Sequence, residues 1–446
     1  MVDLTPTQDT CVLGVEGFAY ADLYDPARLA ELAEVFYREL GVADAPLAAE
    51  FARYRAARGE GWAARAESDL LVRVAPHLSL FVARLFGVER ERAALVEKAR
   101  DEAVIFEFKK LFIQRRVRKL PAEAVLAAVQ DFARLDAEVR GLRGRVPGGS
   151  DEELEIARLW RALGDDREAL AALEGWVAAL GVIAPARIGA WVSWRQPRAL
   201  DYTRLVQIER PRAELPEEMT GPEFKRRRRD GFGLTDPRMT GREVLDEIHY
   251  CLYCHERDKD SCAHGFAGKD GSYRLNPLGI PLEGCPLDEK ISEAHLARRD
   301  GDALGALALV MIDNPLCPGT GHRICNDCMK SCIFQKQDPV NIPQAETGIL
   351  TDVLRLPYGV EIYGLLTRWN PLHVRRPHAL PYHGKNVLIV GMGPAGYTLA
   401  HYLLNEGFGV VAIDGLKIEP LPAALTGEDG GGPQPIDQWD AIYSKL

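Results

Sequence analysis

Eight of the nine cysteines in this sequence fall between Cys251 and Cys332. The first batch is Cys251-x2-Cys254-x7-Cys262 followed by Cys285; the second is Cys317 followed by Cys325-x2-Cys328-x3-Cys332. A CxxC pair lets one loop present two thiolates to one metal centre, and eight thiolates suffice for two four-cysteine centres. About fifty residues later comes KNVLIVGMGPAGYTLAHYLLNEGFGVVAID. It reads as a strand, a glycine turn and a helix, the pattern that cradles a dinucleotide. Thiolate-held metal beside such a turn suggests electron transfer.

Thiolates select zinc, copper(I) or iron–sulfur clusters. Two zinc ions with four cysteines each would also use eight thiolates, and His255 and His264 are close enough in sequence to join them. Such a zinc-stabilised interaction module, with a non-catalytic nucleotide fold beside it, is the alternative reading. Neither batch has the compact CxxC…CxxC symmetry of a zinc ribbon. Cys285 is followed directly by Pro286, a frequent feature of ferredoxin-type ligation, and a long helical stretch separates the batches. These features favour two 4Fe–4S clusters in a helical ferredoxin module.

In the glycine motif, Val387–Val390 is an apolar run suited to a buried parallel strand. Gly391 permits the tight turn, Gly393 lets the backbone approach a pyrophosphate, and Gly396 allows close helix–strand packing. Pro394 and Ala395 open a helix whose N-terminus offers N–H donors to phosphate. The strand 410–413 ends in Asp414, about twenty residues on, where a carboxylate can bind ribose hydroxyls.

The segments GCPLDEKI, DGDALGAL and TGHRICNDCMKSCIF…DPVNIPQAE resemble the N-terminal iron–sulfur domain of glutamate synthase small subunits, a module shared with dihydropyrimidine dehydrogenase. The resemblance covers roughly 245–446. The whole chain looks like the start of a larger pyridine nucleotide–disulfide oxidoreductase-like protein. The resemblance implies two 4Fe–4S clusters followed by an FAD-binding Rossmann domain. It implies that Cys251, Cys254, Cys262 and Cys332 hold one cluster. Cys285, Cys325 and Cys328 would share the other, with Cys317 or Glu346 as the fourth ligand. The sequence departs from the family pattern in a longer Cys254–Cys262 gap, a shorter Cys325–Cys328 gap and the extra Cys317. The implied activity is an NAD(P)H-dependent FAD/iron–sulfur oxidoreductase, with NAD(P)H bound in the intact protein and an electron-acceptor domain or subunit as partner.

Elements that could position these groups are also legible. Residues 1–195 read as a mainly helical domain of unknown role. In DPARLAELAEVFYRELG, Asp25 caps, Pro26 suits the first turn, Gly41 is the expected end, and Leu29, Leu32, Phe36 and Leu40 form one stripe. In SDEELEIARLWRALG, Ser150 and Glu153 suggest a capping box. A partner helix is expected over about 167–180, and helices over 70–117 should break near Pro76 and Gly87. An irregular linker follows at 196–242, then the cysteine domain at 243–365, a second linker at 366–383, and a partial Rossmann domain at 384–446. The expected fold class is therefore a mainly α N-terminal region, an α-helical ferredoxin-like domain and a partial α/β FAD/NAD(P)-binding domain. A doubly wound sheet needs more strands than this sequence supplies, so the chain reads as C-terminally truncated and its oxidoreductase activity as that of a fragment.

The net charge of −10 argues against a nucleic-acid partner, with the run Lys225–Arg229 as a local exception best read as a solvated loop. The N-terminus lacks a secretory signal pattern, and the longest apolar stretch, 303–312, is too short to span a membrane. A cytoplasmic, reducing location follows, in which clustered cysteines are metal ligands rather than disulfides. Cys11 reads as a small buried apolar group, and His378 and His383 as linker residues. No general acid or base is assigned.

Overall fold

The computed structural model describes residues 12–222, 238–321 and 324–415, and the backbone alone of 428–429 and 432–433. Cys11 and the Lys225–Arg229 run lie outside the described residues.

The first bundle contains α1 (Pro26–Ala43), α2 (Ala45–Ala56) and α3 (Ala64–Phe86). The Asp25 carboxylate caps α1 by accepting from the backbone N–H groups of Ala27 and Arg28. The stripe Leu29, Leu32, Phe36 and Leu40 is fully buried, and its packing carries the helix past Gly41 to Ala43. α3 runs straight through Pro76, although proline removes a helix hydrogen bond, because Val74, Ala75 and Leu78 beside it are wholly buried. The break comes at Gly87, whose φ of +67° ends the helix.

α4 (Glu89–Glu107) continues through a π-helical turn, Phe108–Ile113, into a second bundle. This bundle holds α5 (Ala122–Gln130), α6 (Phe132–Arg143), α7 (Glu152–Leu163), α8 (Arg167–Ile183) and α9 (Pro185–Gly189), around Trp176, Leu173, Phe108 and Phe112. The α7 cap is Asp151, accepting from Leu154 N–H, rather than Ser150. Glu153 instead turns inward, where its carboxylate accepts from the buried Ser193 N–H at 2.7 Å.

The cysteine region follows α10 (Gly241–Tyr250), which starts on a Thr240–Glu243 capping box. It contains α11 (Ser261–His264), α12 (Ile291–Arg299), α13 (Ala303–Asp313), α14 (Cys317–Thr320), α15 (Asp327–Lys330), α16 (Ile342–Leu354) and α17 (Gly359–Arg368). The apolar stretch that was too short for a membrane is α13. Every residue from Ala303 to Met311 is buried between α3, α12 and α16. Leu70, Leu78 and Phe81 of the first bundle share one core with Leu304, Leu307, Ile349 and Trp369. The N-terminal helices are thus packed directly against the scaffold of the cysteines. No helix among the described residues is long and apolar enough to cross a membrane.

β1 (Asn386–Val390), α18 (Pro394–Asn405) and β2 (Gly409–Ile413) form one β-α-β unit. The strands are parallel, in register from Asn386↔Gly409 to Val390↔Ile413. Here the expected fold class is corrected. The chain is mostly α, about 58% helical. Among the described residues there is no Rossmann sheet, only this two-stranded one and a two-residue antiparallel pair, Glu428–Asp429 with Gly432–Pro433. The reason is physical. A glycine turn between a strand and a helix is local and folds as one unit, whereas a doubly wound sheet needs strands covered on both faces. Leu388, Val390, Val411 and Ile413 are instead 49–76% exposed.

Candidate functional site

The eight described cysteines are all free thiols. Five of them share one apolar cluster: Cys262, Cys328 and Cys332 are buried with Ile291, Val340 and Ile342, and Cys251 and Cys285 pack against them, while Cys254 is buried on its own turn. Their electrostatic neighbours sort them into two groups.

In the first group the Cys251 thiol faces Cys254 and Cys332, and Cys262 faces Cys251 and Cys332. Cys251 ends α10, and Cys254 starts a tight turn that the left-handed backbone of Tyr253 (φ +48°) sets up. Burial pushes Cys251 up to about 12 and Cys254 to about 11, and raises Cys262 and Cys332 as well, with the neighbouring thiols adding repulsion at the first three. Backbone N–H groups already point at sulfur. Tyr253 N–H donates to Cys251 Sγ at 3.4 Å, and those of Phe334 and Val340 favour the Cys332 thiolate. The Cys262 thiol donates to the half-buried Asp260 carboxylate at 3.3 Å.

In the second group Cys285 faces Cys325, and Cys328 faces both. Cys317, wholly buried at the start of α14, faces Glu346 and Glu289. Burial pushes Cys285 up to about 12 and raises Cys317, Cys325 and Cys328. Glu346 and Glu289 are hydrogen-bonded to each other, and burial raises both, Glu289 to about 7. The pair thus holds a proton at neutral pH. Asn314 Nδ2 donates to Glu346 Oε1 at 2.9 Å, and Thr320 Oγ1 donates to Asn314 Oδ1 at 2.8 Å, which fixes the amide.

The groups touch through backbone. Cys285 N–H lies 2.9 Å from the carbonyls of both Cys262 and Ala263. This close pass requires Gly284, with φ +87°, where a Cβ would strike the Ala263 carbonyl. Gly284 N–H donates to the buried Ser331 Oγ at 2.9 Å, next to Cys332.

Neither histidine joins the thiols. His255 Nδ1 is 2.6 Å from Ser292 Oγ in the core, and His264 Nδ1 is 2.9 Å from the exposed Asp288. Among the described residues, no group of three or more His, Cys, Asp or Glu side chains is gathered tightly enough to hold a metal ion. The expectation of a ready-made metal-binding group is corrected on this point. A single zinc draws four ligands to within about 2.3 Å of one point, and these thiols are not so gathered.

The glycine turn lies beside the second group. Gly391 has φ +99°, its N–H donates to the Ile413 carbonyl at 2.7 Å, and a Cβ on Gly396 would strike the Gly391 carbonyl. Gly393, Pro394 and Ala395 are exposed at the start of α18. The Asp414 carboxylate accepts from Met392 N–H at 2.5 Å and Gly415 N–H at 2.6 Å, closing the turn from within. Tyr397, one residue past Gly396, lies against Gly319 in α14, where a Cβ would come 2.5 Å from its hydroxyl. The Tyr363 hydroxyl, bonded to the Pro315 carbonyl at 2.9 Å, faces both Cys317 and Tyr397. His378 and His383 sit in the connecting segment, with His383 edge-on to Phe408.

Sequence reasoning missed Glu289, Asp260, Ser331 and the Asn314–Thr320 clamp. Glu289 had a signal, four residues after Cys285 in the stretch CPLDEK. The others stand out only through burial.

The RP005 N-terminal alpha-helical domain family matches residues 13–87, the first bundle. The chain is similar to the uncharacterized protein RP006 of Rickettsia prowazekii (strain Madrid E), 62% identical over 102 residues, which are 23% of this chain and 14% of that protein. It is also similar to the uncharacterized protein RP005 of the same organism, 29% identical over 242 residues, covering 51% of this chain and 79% of that protein. The chain thus spans only about one seventh of RP006. No solved structure matches.

Proposed function

We propose that the cysteine region is an electron-transfer module holding two 4Fe–4S clusters. Cys251, Cys254, Cys262 and Cys332 would hold one, and Cys285, Cys317, Cys325 and Cys328 the other. The observation that carries this reading is the sorting of seven free thiols into a group of four and a group of three joined by one backbone contact, with the buried Cys317 facing the same Glu289–Glu346 pair as Cys328. The donor set fits such clusters. Buried thiols that repel one another when ionised are stabilised by a strongly cationic iron core, and a cluster spreads its thiolates wider than one ion does. N–H groups aimed at sulfur are the device by which proteins tune cluster potentials. When bound, the clusters supply one-electron transfer and a flavin supplies exchange between hydride and single electrons.

The residues do the positioning. Gly391, Gly393 and Gly396 shape a turn that brings backbone donors to a pyrophosphate, with Pro394 and Ala395 opening the helix behind it and Asp414 bracing it. FAD is the dinucleotide the resemblance favours, with NAD(P)H as its reductant on a longer chain. Tyr397, against the Gly319 backbone, and Tyr363, which faces both Tyr397 and Cys317, link that turn to the second thiol group. The Cys285–Cys262 contact continues the link to the first. Glu346, bound to Glu289 and Asn314, stands behind Cys317 as a supporting group rather than a ligand.

Anaerobic purification followed by metal, sulfide and flavin analysis tests the reading. About eight iron and eight sulfide per chain with broad visible absorption are expected. A colourless protein with stoichiometric zinc sinks it.

A further inference from the structure

A cavity of about 840 Å³ opens between the second bundle and α10, beside Tyr250. Its size falls in the usual range for small-molecule sites. Its walls carry flat groups, Trp194, Pro197, Tyr250 and Pro339, among several charges. Most of those charges are already matched. Lys109 Nζ contacts both oxygens of buried Asp246 at 2.5 and 2.8 Å, and Arg195 pairs with Glu243. The Asp338 carboxylate accepts from Arg198 N–H at 2.8 Å, and the Glu247 carboxylate from Asn341 N–H at 2.8 Å. The guanidiniums of Arg118 and Arg198 differ: among the described residues neither is in an ion pair with a carboxylate. Arg118 lies 3.5 Å over the Trp194 ring and donates to the Trp194 carbonyl at 2.9 Å, so its charge is held at the mouth of the cavity.

We propose that this cavity binds a small planar organic anion, its ring against the Trp194 and Tyr250 walls and its charge on Arg118 and Arg198. A stacking surface, the held guanidinium of Arg118 and the second cation of Arg198 are the complementary features such a ligand needs. The site does not depend on metal, so it can stand or fall separately from the cluster reading. Its location nevertheless matters to that reading. Tyr250 directly precedes Cys251, and its ring stacks on Phe334, two residues past Cys332, with centroids 4.4 Å apart. A bound ring would therefore lie one side chain from the first thiol group.

Calorimetric titration of the full chain with anthraquinone-2-sulfonate tests the site, with the uncharged 2-(hydroxymethyl)anthraquinone as comparison. Saturable binding of the sulfonate is expected, weakened about tenfold by either Arg118→Ala or Arg198→Ala and unaffected by Arg90→Ala, an exposed change elsewhere. Circular dichroism establishes that the variants are folded. No saturable binding, equal binding of the uncharged compound, or equal affinity in all variants overturns the proposal. Because the titration needs no iron, a protein that lacks clusters but binds the sulfonate separates the two readings.

Discussion

Cys251, Cys254, Cys262 and Cys332 sit among backbone N–H donors and aromatic rings, with the Asp260 carboxylate at one edge, whereas Cys317 and Cys328 face the Glu289–Glu346 carboxyl pair. The first group is enclosed, with Cys254, Cys262 and Cys332 buried; the second leaves Cys325 exposed. Both sets meet N–H donors and carboxyls, since Leu287 and Glu289 N–H favour the Cys285 thiolate and Asp260 raises three thiols of the first set; they differ in that the second set's two carboxyls are buried and bonded to each other. N–H dipoles favour added negative charge at either proposed centre. Ionised carboxyls oppose it, so the second group tolerates reduction best while its carboxyl pair stays protonated. The second group also lies nearest the glycine turn, through Cys317 and Tyr397, so under the proposed function electrons would pass from turn to second group to first.

The largest expected effect comes from removing one thiol from either group. Cys262→Ser and Cys328→Ser should each lower bound iron to about half, because each cluster fails without its thiolate while the other survives. Iron analysis with visible and paramagnetic resonance spectra of the reduced protein checks this. Equal loss of all iron in both variants would break the two-group division. The fourth ligand of the second group is sharpened by Cys317→Ser against Glu346→Gln. The first should lose that group's iron and the second keep it; the reverse pattern would make Glu346 the ligand.

How the sequence encodes this division is uneven. The strand–glycine turn–helix was legible because it depends on residue type and short spacing, whereas the gathering of thiols into a metal-binding group was not borne out. Helices such as α1 were legible because Asp25, Pro26 and the leucine stripe are local signals. Pro76 and Gly41 misled, since burial of Val74, Ala75 and Leu78 around one and of Leu40 beside the other outweighs local preference. Ser150 misled because Asp151, one residue on, caps equally well and frees Glu153 for Ser193. The full Rossmann domain was inferred from a motif that specifies only a turn and its two flanking elements. Packing of α13 against α3 was invisible, since nothing in either helix names its partner.

Acidity should next separate two buried residues that line one small cavity, Glu289 and His295, in the metal-free protein. Glu289 is raised by burial to about 7, above its ordinary 4.5, so between these values the folded chain holds more protons than the unfolded one. Stability should fall as pH rises through that window and level off above it. Glu289→Gln should lessen the slope without removing it, because Asp313, raised by burial to about 6, and Glu346 are raised too. His295, wholly buried in α12, is lowered by burial to about 4 from 6.5, and among the described residues its Nδ1 has no hydrogen-bond partner. There the folded chain holds fewer protons, so stability should fall as pH drops from 6.5 towards 4, and His295→Leu should relieve that loss. Each effect is of the order of 1–3 kcal/mol, and urea unfolding at pH 5 and 7.5 measures both. Parallel shifts in the two variants would refute the opposed roles.

The smallest expected effect lies where the groups meet. Ser331 Oγ accepts from Gly284 N–H at 2.9 Å, both buried, and this bond holds the glycine that lets Cys285 N–H approach the Cys262 carbonyl. Ser331→Ala would leave a buried N–H without a partner and should lower stability by about 1 kcal/mol. Ser331→Thr keeps a hydroxyl in reach and should recover part of that loss. If the contact also couples the two groups, the alanine variant should keep its full iron yet show a weaker magnetic interaction between the reduced centres. Unchanged coupling with reduced stability would leave Ser331 a structural residue and move the join between the groups elsewhere.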